Sequence, residues 1–411
     1  MDIRPILSTL RRHKVITTLL VLEIALTCAI VSNAVFLISQ RLQQMRIPGG
    51  VAEKELVQLR LAEITPPPDQ YARGREDLEL LRRIPGVQSV ATSNQIPFAG
   101  NYNSNANVML SPDQAQATLS AATYFGENLV STLGLKLEAG RALEAGDYRN
   151  ADVVLDALKD GANGVFPMPT VITRSLADRL WPGEQALGKL VYLTPKASFR
   201  VVGVVAGLAR ANAYDIATAD YSMIIPLRFG SGEASSYVLR TRPQDRDRVL
   251  KAAAAALVKA DPQRVVIRQQ KLDEVHHDFF QDDRAMAGIL LGVILALLTV
   301  TALGIVGLAS FWVGQRRKQI GVRRALGATQ RNILEYFHTE NFLIVSLGIA
   351  LGMVLAWGVN LWLMQNYETA RLPWAYLPVG AIALWLLGQI AVLAPALRAS
   401  RVPPALATRT V

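Results

Sequence analysis

Residues Gln315–Arg331 read QRRKQIGVRRALGATQR, a strongly basic stretch between two long apolar segments. Lys and Arg concentrate in loops on the cytoplasmic side of a membrane, so this stretch indicates how the neighbouring segments are oriented. Its alternation of apolar and basic residues predicts a short amphipathic helix lying along the membrane surface. The chain is therefore expected to be a membrane protein whose topology can be worked out from this loop.

Four apolar segments are long enough to cross a hydrocarbon core of about 30 Å. They cover residues 15–38, 285–313, 342–364 and 374–397. The first is too long for the apolar region of a cleaved signal peptide, so we expect it to be retained as a span. Pro395 is expected to interrupt the fourth span near its end.

Basic residues lie at the ends of the apolar segments, and they all fall on one side of the predicted membrane. They are found in the tail 1–14, the segment 314–341 and the tail 398–411: Arg4, Arg11, Arg12, Lys14, Arg316, Arg317, Lys318, Arg323, Arg324, Arg331, Arg398, Arg401 and Arg409. The short opposite loop, 365–373, has only Arg371 against Glu368. The positive-inside rule therefore places both termini in the cytoplasm and residues 39–284 outside it. The same distribution explains the formal net charge of +10 without nucleic acid as a partner.

The large segment 39–284 has the pattern of an α+β domain, which gives the predicted fold class: an α-helical membrane protein with four transmembrane helices and a large α+β extracytoplasmic domain inserted between the first two. The predicted strands are Val57–Ile64, Ala106–Leu110, Thr170–Thr173, Arg200–Val205, Met223–Pro226 and Tyr237–Arg240, and the predicted helices are Asp69–Ile84, Ser175–Leu180 and Asp247–Ala260. The Asn-, Ala- and Gly-rich region 94–165 suggests a looser structure, within a lobe at about 94–225. Cys28 is the only cysteine, so no disulfide can form within the chain.

Catalytic and metal-binding patterns are weak in this domain. His276 and His277 are adjacent rather than four residues apart, so we expect two polar residues on an exposed helix and no metal site. Asp278, Asp282 and Asp283 are expected to form a solvated helix face. The sequence GEQALGK at 183–189 matches the beginning of a phosphate-binding loop, but Leu190 replaces the hydroxyl residue that would hold Mg²⁺. We expect an ordinary turn there.

Several separated motifs resemble the permease family that includes MacB, LolC, LolE and FtsX, the type VII ABC transporters. IGVRRALGAT at 320–329 resembles the family's cytoplasmic E-I-G-I-R-R-A-L-G-A, with Gln319 in place of the Glu. PALRASRVPPAL at 395–406 resembles its C-terminal motif. Ile84–Val87, Gly140-Arg141 and Trp181–Lys189 resemble the periplasmic domain of MacB-like members. One span, a large outer domain and three further spans is also the family's order.

The resemblance implies a permease in the bacterial inner membrane, not an enzyme. ATP and Mg would bind to a separate ABC ATPase subunit, and no cofactor or metal is expected in this chain. A second permease copy or a paralogue would complete a dimer. Efflux of peptides or small molecules, through a periplasmic adaptor and a TolC-like outer-membrane channel, is the leading interpretation. Lipoprotein extraction of the LolCDE type, FtsX-like regulation of a cell-envelope hydrolase, and a scaffold that has lost its ATPase are the alternatives.

The resemblance also implies that the basic helix docks in a groove of the ATPase. The predicted coupling residues are Gln319, Ile320, Gly321, Val322, Arg323, Arg324, Ala325, Leu326 and Gly327. Ile320, Val322, Ala325 and Leu326 are expected to make apolar contacts, while the arginines from Arg316 to Arg331 face a partner or phosphates. A basic helix that only touches anionic lipid is the alternative.

Polar and small residues within the spans are further candidates. Glu23 is expected to snorkel or to contact a helix, and Glu340 to pair with a nearby Arg. Gly348 and Gly352 form a flat face that could serve a dimer or the chain's own bundle. Ser39–Arg46 and Leu272–Arg284 are expected to continue the first two spans as stalks, which would carry ATP-driven movement to the outer domain by mechanotransmission.

Overall fold

The computed structural model describes residues 14–65, 67–100, 103–160, 165–230, 235–367 and 371–401. Arg4, Arg11, Arg12, Glu368 and Arg409, with residues 402–406 of the C-terminal motif, lie outside the described residues. The chain divides into two compact units. One comprises Met1–Gln43 and Asp283–Val411, here called the membrane unit, and the other comprises Gln44–Asp282, here called the outer unit.

The described elements are the following, in chain order. The helices are α1 Lys14–Gln44, α2 Gln70–Arg82, α3 Leu129–Thr132, α4 Ala151–Asp160, α5 Arg174–Leu180, α6 Arg246–Ala260, α7 Leu272–Phe279, α8 Gln281–Gln315, α9 Arg317–Ala325, α10 Gln330–Tyr367 and α11 Leu377–Ser400. The strands are β1 Leu56–Glu63, β2 Val87–Thr92, β3 Asn105–Val108, β4 Leu119–Phe125, β5 Leu137–Gly140, β6 Arg149–Asn150, β7 Met168–Thr173, β8 Leu190–Thr194, β9 Ala197–Val205, β10 Ser222–Ile225, β11 Leu227–Arg228, β12 Ser235–Thr241 and β13 Arg264–Lys271.

The membrane unit is a helical bundle in which α1, α8, α10 and α11 are long and apolar enough to cross a bilayer. Their facing sides share a core that includes Ile24, Cys28, Ile305, Ile349 and Leu384. Each helix also exposes large apolar side chains, among them Leu19, Leu303, Val354 and Ile390. Apolar residues on the outside of a bundle are expected where lipid covers it. The predicted membrane fold class is confirmed.

Three sequence expectations about helix limits need correction. Pro395 does not interrupt the last span, because α11 continues to Ser400 and Pro395 is buried within it. Transmembrane helices tolerate the lost backbone bond where neighbouring elements pack on both sides of the proline. Leu272–Arg284 is not one continuous stalk, since the chain breaks between α7 and α8 at Phe280. The helix that contains the third span begins before residue 342, because α10 starts at Gln330.

The outer unit contains two main sheets. The first is antiparallel, with strand order β13-β1-β12-β2, and α2 and α6 pack on it around Leu59, Leu81, Tyr237, Val249 and Leu257. The second is mixed, with order β3-β4-β10-β7-β9-β5 and β8 paired to β9. A further buried cluster joins residues of both sheets, including Leu56, Val238, Tyr124 and Ile224. The unit is therefore an α+β domain.

The region 94–225 provides the strands of the second sheet. Val108, Ala122 and Tyr124 are fully buried there, so the region is packed and not loose as its composition suggested. Each of the six predicted strands overlaps an observed strand, and the three predicted helices overlap α2, α5 and α6. Strands β2, β4, β5, β6, β8, β11 and β13 were not predicted, because they are very short, lack strong alternation or lie beside turn-forming residues.

A buried ionic cluster joins the first sheet to α2. Both terminal nitrogens of Arg264 lie 2.8 Å from the Asp77 carboxylate, and one is 3.1 Å from Glu63. The Tyr237 hydroxyl donates to Asp77 at 2.7 Å. The three charged side chains are at most 3% exposed. Such a cluster is costly to break, because the remaining partner is left as a buried, uncompensated charge.

Candidate functional site

The predicted coupling stretch forms α9, a helix of nine residues between α8 and α10. Its C-terminal end is closed by two backbone bonds, from Gly327 N–H to the Arg324 carbonyl at 3.1 Å and from Ala328 N–H to the Arg323 carbonyl at 3.0 Å. This is a Schellman closure, which needs a left-handed residue, and Gly327 has φ +98°. The Thr329 hydroxyl then accepts from Asn332 N–H at 3.2 Å and caps α10. The helix is thus defined at its end by specific residues.

One side of α9 is fixed to the bundle. Ile320 is 6% exposed and packs in a cluster with Val313 of α8, Ile333 and Phe337 of α10, and two alanines of α11. Gly321 is also buried. A force applied to α9 would therefore reach three of the long helices through direct contacts, since packed interiors deform little.

A buried ion pair lies beside this contact. Arg316, in the break between α8 and α9, has Nη1 3.0 Å from Glu340 Oε2 of α10. The Glu340 side chain is 2% exposed and that of Arg316 is 12% exposed. The guanidinium also lies over the Trp312 ring, 5.5 Å from its centroid. Arg316 therefore points inward, and our expectation that it faces a partner or phosphates is wrong.

Among the described residues, none covers the other side of α9. Gln319, Val322, Arg323 and Leu326 are exposed, and their spacing of i, i+3, i+4 and i+7 places them on one helix face. Val322 is 46% exposed and Leu326 is 83% exposed. Ile320 packs against the chain's own bundle, whereas the apolar contacts expected of Val322, Ala325 and Leu326 stay a prediction, because these three side chains are exposed. We call the four exposed residues the α9 stripe.

The apolar residues of the stripe are Val322 and Leu326, and basic side chains lie around them. The Arg323 guanidinium lies over the Tyr336 ring, 5.1 Å from its centroid, which orients it along the helix surface. Arg317 and Lys318 are exposed, and Arg331 is paired with Glu335 at 2.8 Å while 86% exposed. Apolar side chains within a cationic rim suit an acidic, partly apolar groove on another protein.

The structure adds three residues that the sequence did not single out. Trp312 supplies the ring under Arg316, Tyr336 supplies the ring under Arg323, and Phe337 packs against Ile320. The spacing of Ile333, Tyr336 and Phe337, at i, i+3 and i+4, is a helical pattern that could have indicated that α10 begins well before residue 342.

Glu23 of α1 contacts α8 within the membrane unit. Its two carboxylate oxygens would lie 2.9 Å and 3.0 Å from a Cβ atom placed on Gly304. The carboxylate therefore fills the space that a side chain at position 304 would need. Nearby, the Thr27 and Thr301 hydroxyls share a hydrogen bond of 2.9 Å. Glu23 therefore takes part in a contact between helices, one of the two roles expected for it.

Gly348 and Gly352 of α10 pack against α1 of the same chain. A Cβ at Gly348 would lie 2.7 Å from Ile24, and a Cβ at Gly352 would lie 2.7 Å from the Ala25 carbonyl oxygen. The two glycines therefore allow α10 to approach the backbone of α1 closely. Of the two roles left open by the sequence, the structure shows packing within the chain's own bundle.

The turn at 183–189 has no phosphate-binding geometry. It follows α5 rather than a strand, and Gly183 and Gly188 adopt φ +76° and +81°. The Lys189 ammonium is paired with Glu184 and lies 5.2 Å from the centroid of the Trp181 ring. The residues of this motif therefore hold one another in a closed turn.

The other resembling motif of the outer unit is also structural. Arg141 Nη1 lies 2.6 Å from Asp147 Oδ2, and this bond holds the pKa of Asp147 below its ordinary value. Asp147 also accepts from the backbone N–H of Glu144 at 2.8 Å and completes a capping box with it. The motif fixes the turn that follows β5.

The histidine pair differs from expectation. His276 is not exposed: its ring stacks on Phe98 with centroids 4.0 Å apart, and Nδ1 lies 2.9 Å from Glu53 Oε2. Asp283 is likewise not a free solvated carboxylate, since Arg41 pairs with it at 2.6 Å. Within the described residues, no group of three His, Cys, Asp or Glu side chains is placed to hold a metal ion.

Two family models match the chain. Residues 16–260 match the MacB-like periplasmic core domain, and residues 291–404 match the FtsX-like permease C-terminal domain. Together they cover both structural units.

Individual proteins show the same similarity. The macrolide export ATP-binding/permease protein MacB of Neisseria gonorrhoeae is 26% identical over 250 residues, covering 59% of this chain and 36% of that protein. The match therefore spans little more than a third of that relative's length. The uncharacterized ABC transporter permease YknZ of Bacillus subtilis is 22% identical over 425 residues, covering 99% of this chain and 98% of that protein. The solved extracellular domain of the noncanonic ABC-type transporter YknZ from Gram-positive bacteria superposes with a TM-score of 0.32 at 15% identity, covering 51% of this chain and all of that one.

Proposed function

This chain belongs to the family of MacB-like ABC transporter permeases, and on that premise we propose that it couples ATP hydrolysis in a partner ATPase subunit to movement of its outer unit. The observation that carries the proposal is the exposure of the α9 stripe. Ile320, on the opposite side of α9, fixes the helix to the bundle. Apolar side chains kept exposed on a well-packed helix suit a partner surface. ATP and Mg would bind to that partner.

The orientation follows from charge. We place the chain in the bacterial inner membrane, with both termini and α9 in the cytoplasm and the outer unit in the periplasm. The exposed cations of the 314–331 segment support this orientation, because translocating them is unfavourable. ABC ATPases use cytoplasmic ATP, so α9 must lie on that side for the coupling proposal to hold.

The coupling works by mechanotransmission. ATP-driven closure of two ATPases would push α9, and Ile320 and the Arg316–Glu340 pair would pass the push to α8 and α10. Helix α8 runs unbroken for 35 residues to Gln281, which leads directly into the outer unit. The stalk that leads into the second span therefore comprises Gln281–Arg284 alone. The stalk that leaves the first span is the end of α1, which continues to Gln44.

Polar groups within the bundle form hydrogen bonds between the helices, which supports a tightly packed bundle that transmits movement rather than a pathway for substrate. Thr27 bonds Thr301, Asn33 donates to the Ala356 carbonyl at 3.1 Å, and Asn341 donates to the Gly388 carbonyl at 2.8 Å. These groups satisfy one another between helices, as buried polar groups in lipid must. The substrate would accordingly be handled by the outer unit without crossing this bundle.

The transported material is proposed to be a peptide or small molecule expelled from the periplasm. Macrolide export is the activity named for the MacB relatives, and the large outer domain of that type favours efflux over hydrolase regulation. A second permease copy or a paralogue, a periplasmic adaptor and a TolC-like outer-membrane channel would complete the assembly.

Orientation is tested by cysteine labelling in intact cells. Cys28 is fully buried, so single cysteines introduced elsewhere report alone. A membrane-impermeant maleimide that has crossed the outer membrane should modify Lys196→Cys, which is exposed on the outer unit, and should miss Gln330→Cys until the inner membrane is opened. The reverse pattern would refute the proposed topology.

Coupling is tested by crosslinking. The tagged chain, expressed in its native host, should retain an ABC ATPase on purification. A photo-crosslinker on Val322→Cys should then capture the ATPase, whereas the same label on Leu295→Cys, exposed within α8, should not. Gly321 is unsuitable for this test because it is buried, so a bulky change there would also disturb the chain's own packing. Equal capture at both positions would contradict docking through α9.

A further inference from the structure

A loop of the outer unit exposes two large side chains beside the ends of both chain segments that lead to the membrane. Residues 210–220 connect β9 to β10. Tyr214 is 60% exposed and Ile216 is 51% exposed. Neither belongs to the α9 stripe or to the coupling proposal, and exposed aromatic and apolar residues on one tight loop call for an environment that is not bulk water.

The base of the loop is packed into the domain. Ala211, Ala213 and Ala219 are 0%, 1% and 3% exposed and anchor it. Arg210 N–H donates to the Ala219 carbonyl at 2.7 Å and closes the base. The tip between these anchors is short, which limits the ordering entropy lost when its side chains meet a partner.

Two contacts place the loop close to the membrane. The Gln44 side chain donates to the Tyr214 carbonyl at 3.1 Å, and the Tyr214 ring stacks on Phe279 with centroids 4.8 Å apart. Gln44 is the last residue of α1, and Phe279 is the last residue of α7, just before α8 begins. Each is six residues from a predicted span limit, at 38 and 285. At about 1.5 Å per helical residue, Gln44 lies roughly 9 Å beyond the hydrocarbon core along the continuous helix α1. Phe279 is the same number of residues from its span, with the break at Phe280 between them.

We propose that Tyr214 and Ile216 insert into the headgroup layer of the membrane leaflet facing the outer unit and anchor that unit to the bilayer surface. The headgroup layer extends roughly 5–7 Å beyond the hydrocarbon, within reach of side chains on a loop beside Gln44. A tyrosine suits this layer, since its ring is apolar and its hydroxyl stays hydrated.

The neighbouring charges limit the depth of insertion. Asp215, between the two inserting residues, accepts from Ala217 N–H at 3.0 Å and from the Thr218 hydroxyl at 3.2 Å. A carboxylate in that position favours the hydrated interface and opposes entry into the hydrocarbon. Arg46, exposed two residues beyond Gln44, provides a cation for lipid phosphates. The anchor is therefore interfacial.

Spin-label accessibility tests the anchor in the full-length protein reconstituted in nanodiscs of phosphatidylethanolamine and phosphatidylglycerol. A nitroxide on Ile216→Cys should collide more with oxygen, which partitions into lipid, than with a water-soluble nickel chelate. The matched control is Val153→Cys, 46% exposed on α4 of the same unit, where the nickel chelate should dominate. If Ile216→Cys misfolds, Ala217→Cys, also exposed, replaces it.

Two results would overturn the proposal. Nickel accessibility at position 216 equal to that at position 153 would show that the loop faces bulk water. Protection from both reagents would show that protein, such as a second copy of this chain, covers the loop instead of lipid. The measurement needs no ATPase, so its outcome is independent of the proposed function.

Discussion

Replacing Leu326 by Ser should weaken binding of the partner ATPase without affecting the fold of the permease. Leu326 follows the last residue of α9 and is 83% exposed, so its side chain contributes little to the packing of this chain. If the α9 stripe docks in a groove, this side chain is the one that loses most contact with water.

The size of the effect follows from that exposure. Fully burying a leucine side chain is worth about 1.5–3 kcal/mol. Scaling by the 83% that is exposed gives roughly 1.2–2.5 kcal/mol for burial against a partner. At about 1.4 kcal/mol per tenfold change, the dissociation constant should rise by about sevenfold to sixtyfold.

The assay is biolayer interferometry of the purified ATPase against the permease in nanodiscs. Leu155→Ser is the matched control, since Leu155 is 54% exposed on α4 of the outer unit and should leave the dissociation constant unchanged. Thermal unfolding of the Leu326→Ser variant should match that of the unmodified chain. A change of less than twofold for Leu326→Ser, with unaltered stability, would refute the assignment of the α9 stripe as the docking surface.

Three other substitutions test the packing on which the site depends, each by thermal unfolding in detergent. Gly352→Leu should destabilise the bundle by about 3 kcal/mol through overpacking, whereas Gly358→Leu, which has open space around it, should not. Asp77→Asn should cost about 1.5–3 kcal/mol, because the buried Arg264 guanidinium keeps Glu63 but loses its charged hydrogen bonds to Asp77; unchanged stability would contradict this. Arg141 lowers the pKa of Asp147, so this pair stabilises the fold above the ordinary Asp pKa of about 3.9 and the contribution is lost as pH falls through the lowered value. Asp147→Asn should therefore flatten the acid side of the stability profile, and an unaltered slope would argue against the pair.

Much of the site was predictable from residue pattern. Ile320 was expected to supply an apolar contact, and the structure packs it into the bundle. Periodicity alone could not decide which arginines face outward. Arg316 is adjacent to Arg317, yet one is held against Glu340 and the other is exposed, because the break between α8 and α9 turns their side chains in different directions. The sequence left open whether Val322 and Leu326 contact the chain's own bundle or a partner, since an apolar residue on an amphipathic helix can face either.

The sequence by itself determined the number of spans, the side on which the basic segment is predicted to lie, and the α+β class of the outer unit, because these depend on local hydrophobicity, charge and periodicity. Only the tertiary structure decided that Gly348 and Gly352 pack on α1, that His276 is stacked beneath Phe98, and that the 210–220 loop lies beside Gln44 and Phe279. Those contacts join residues tens to hundreds of positions apart, and their energies depend on distances and burial that no local pattern encodes.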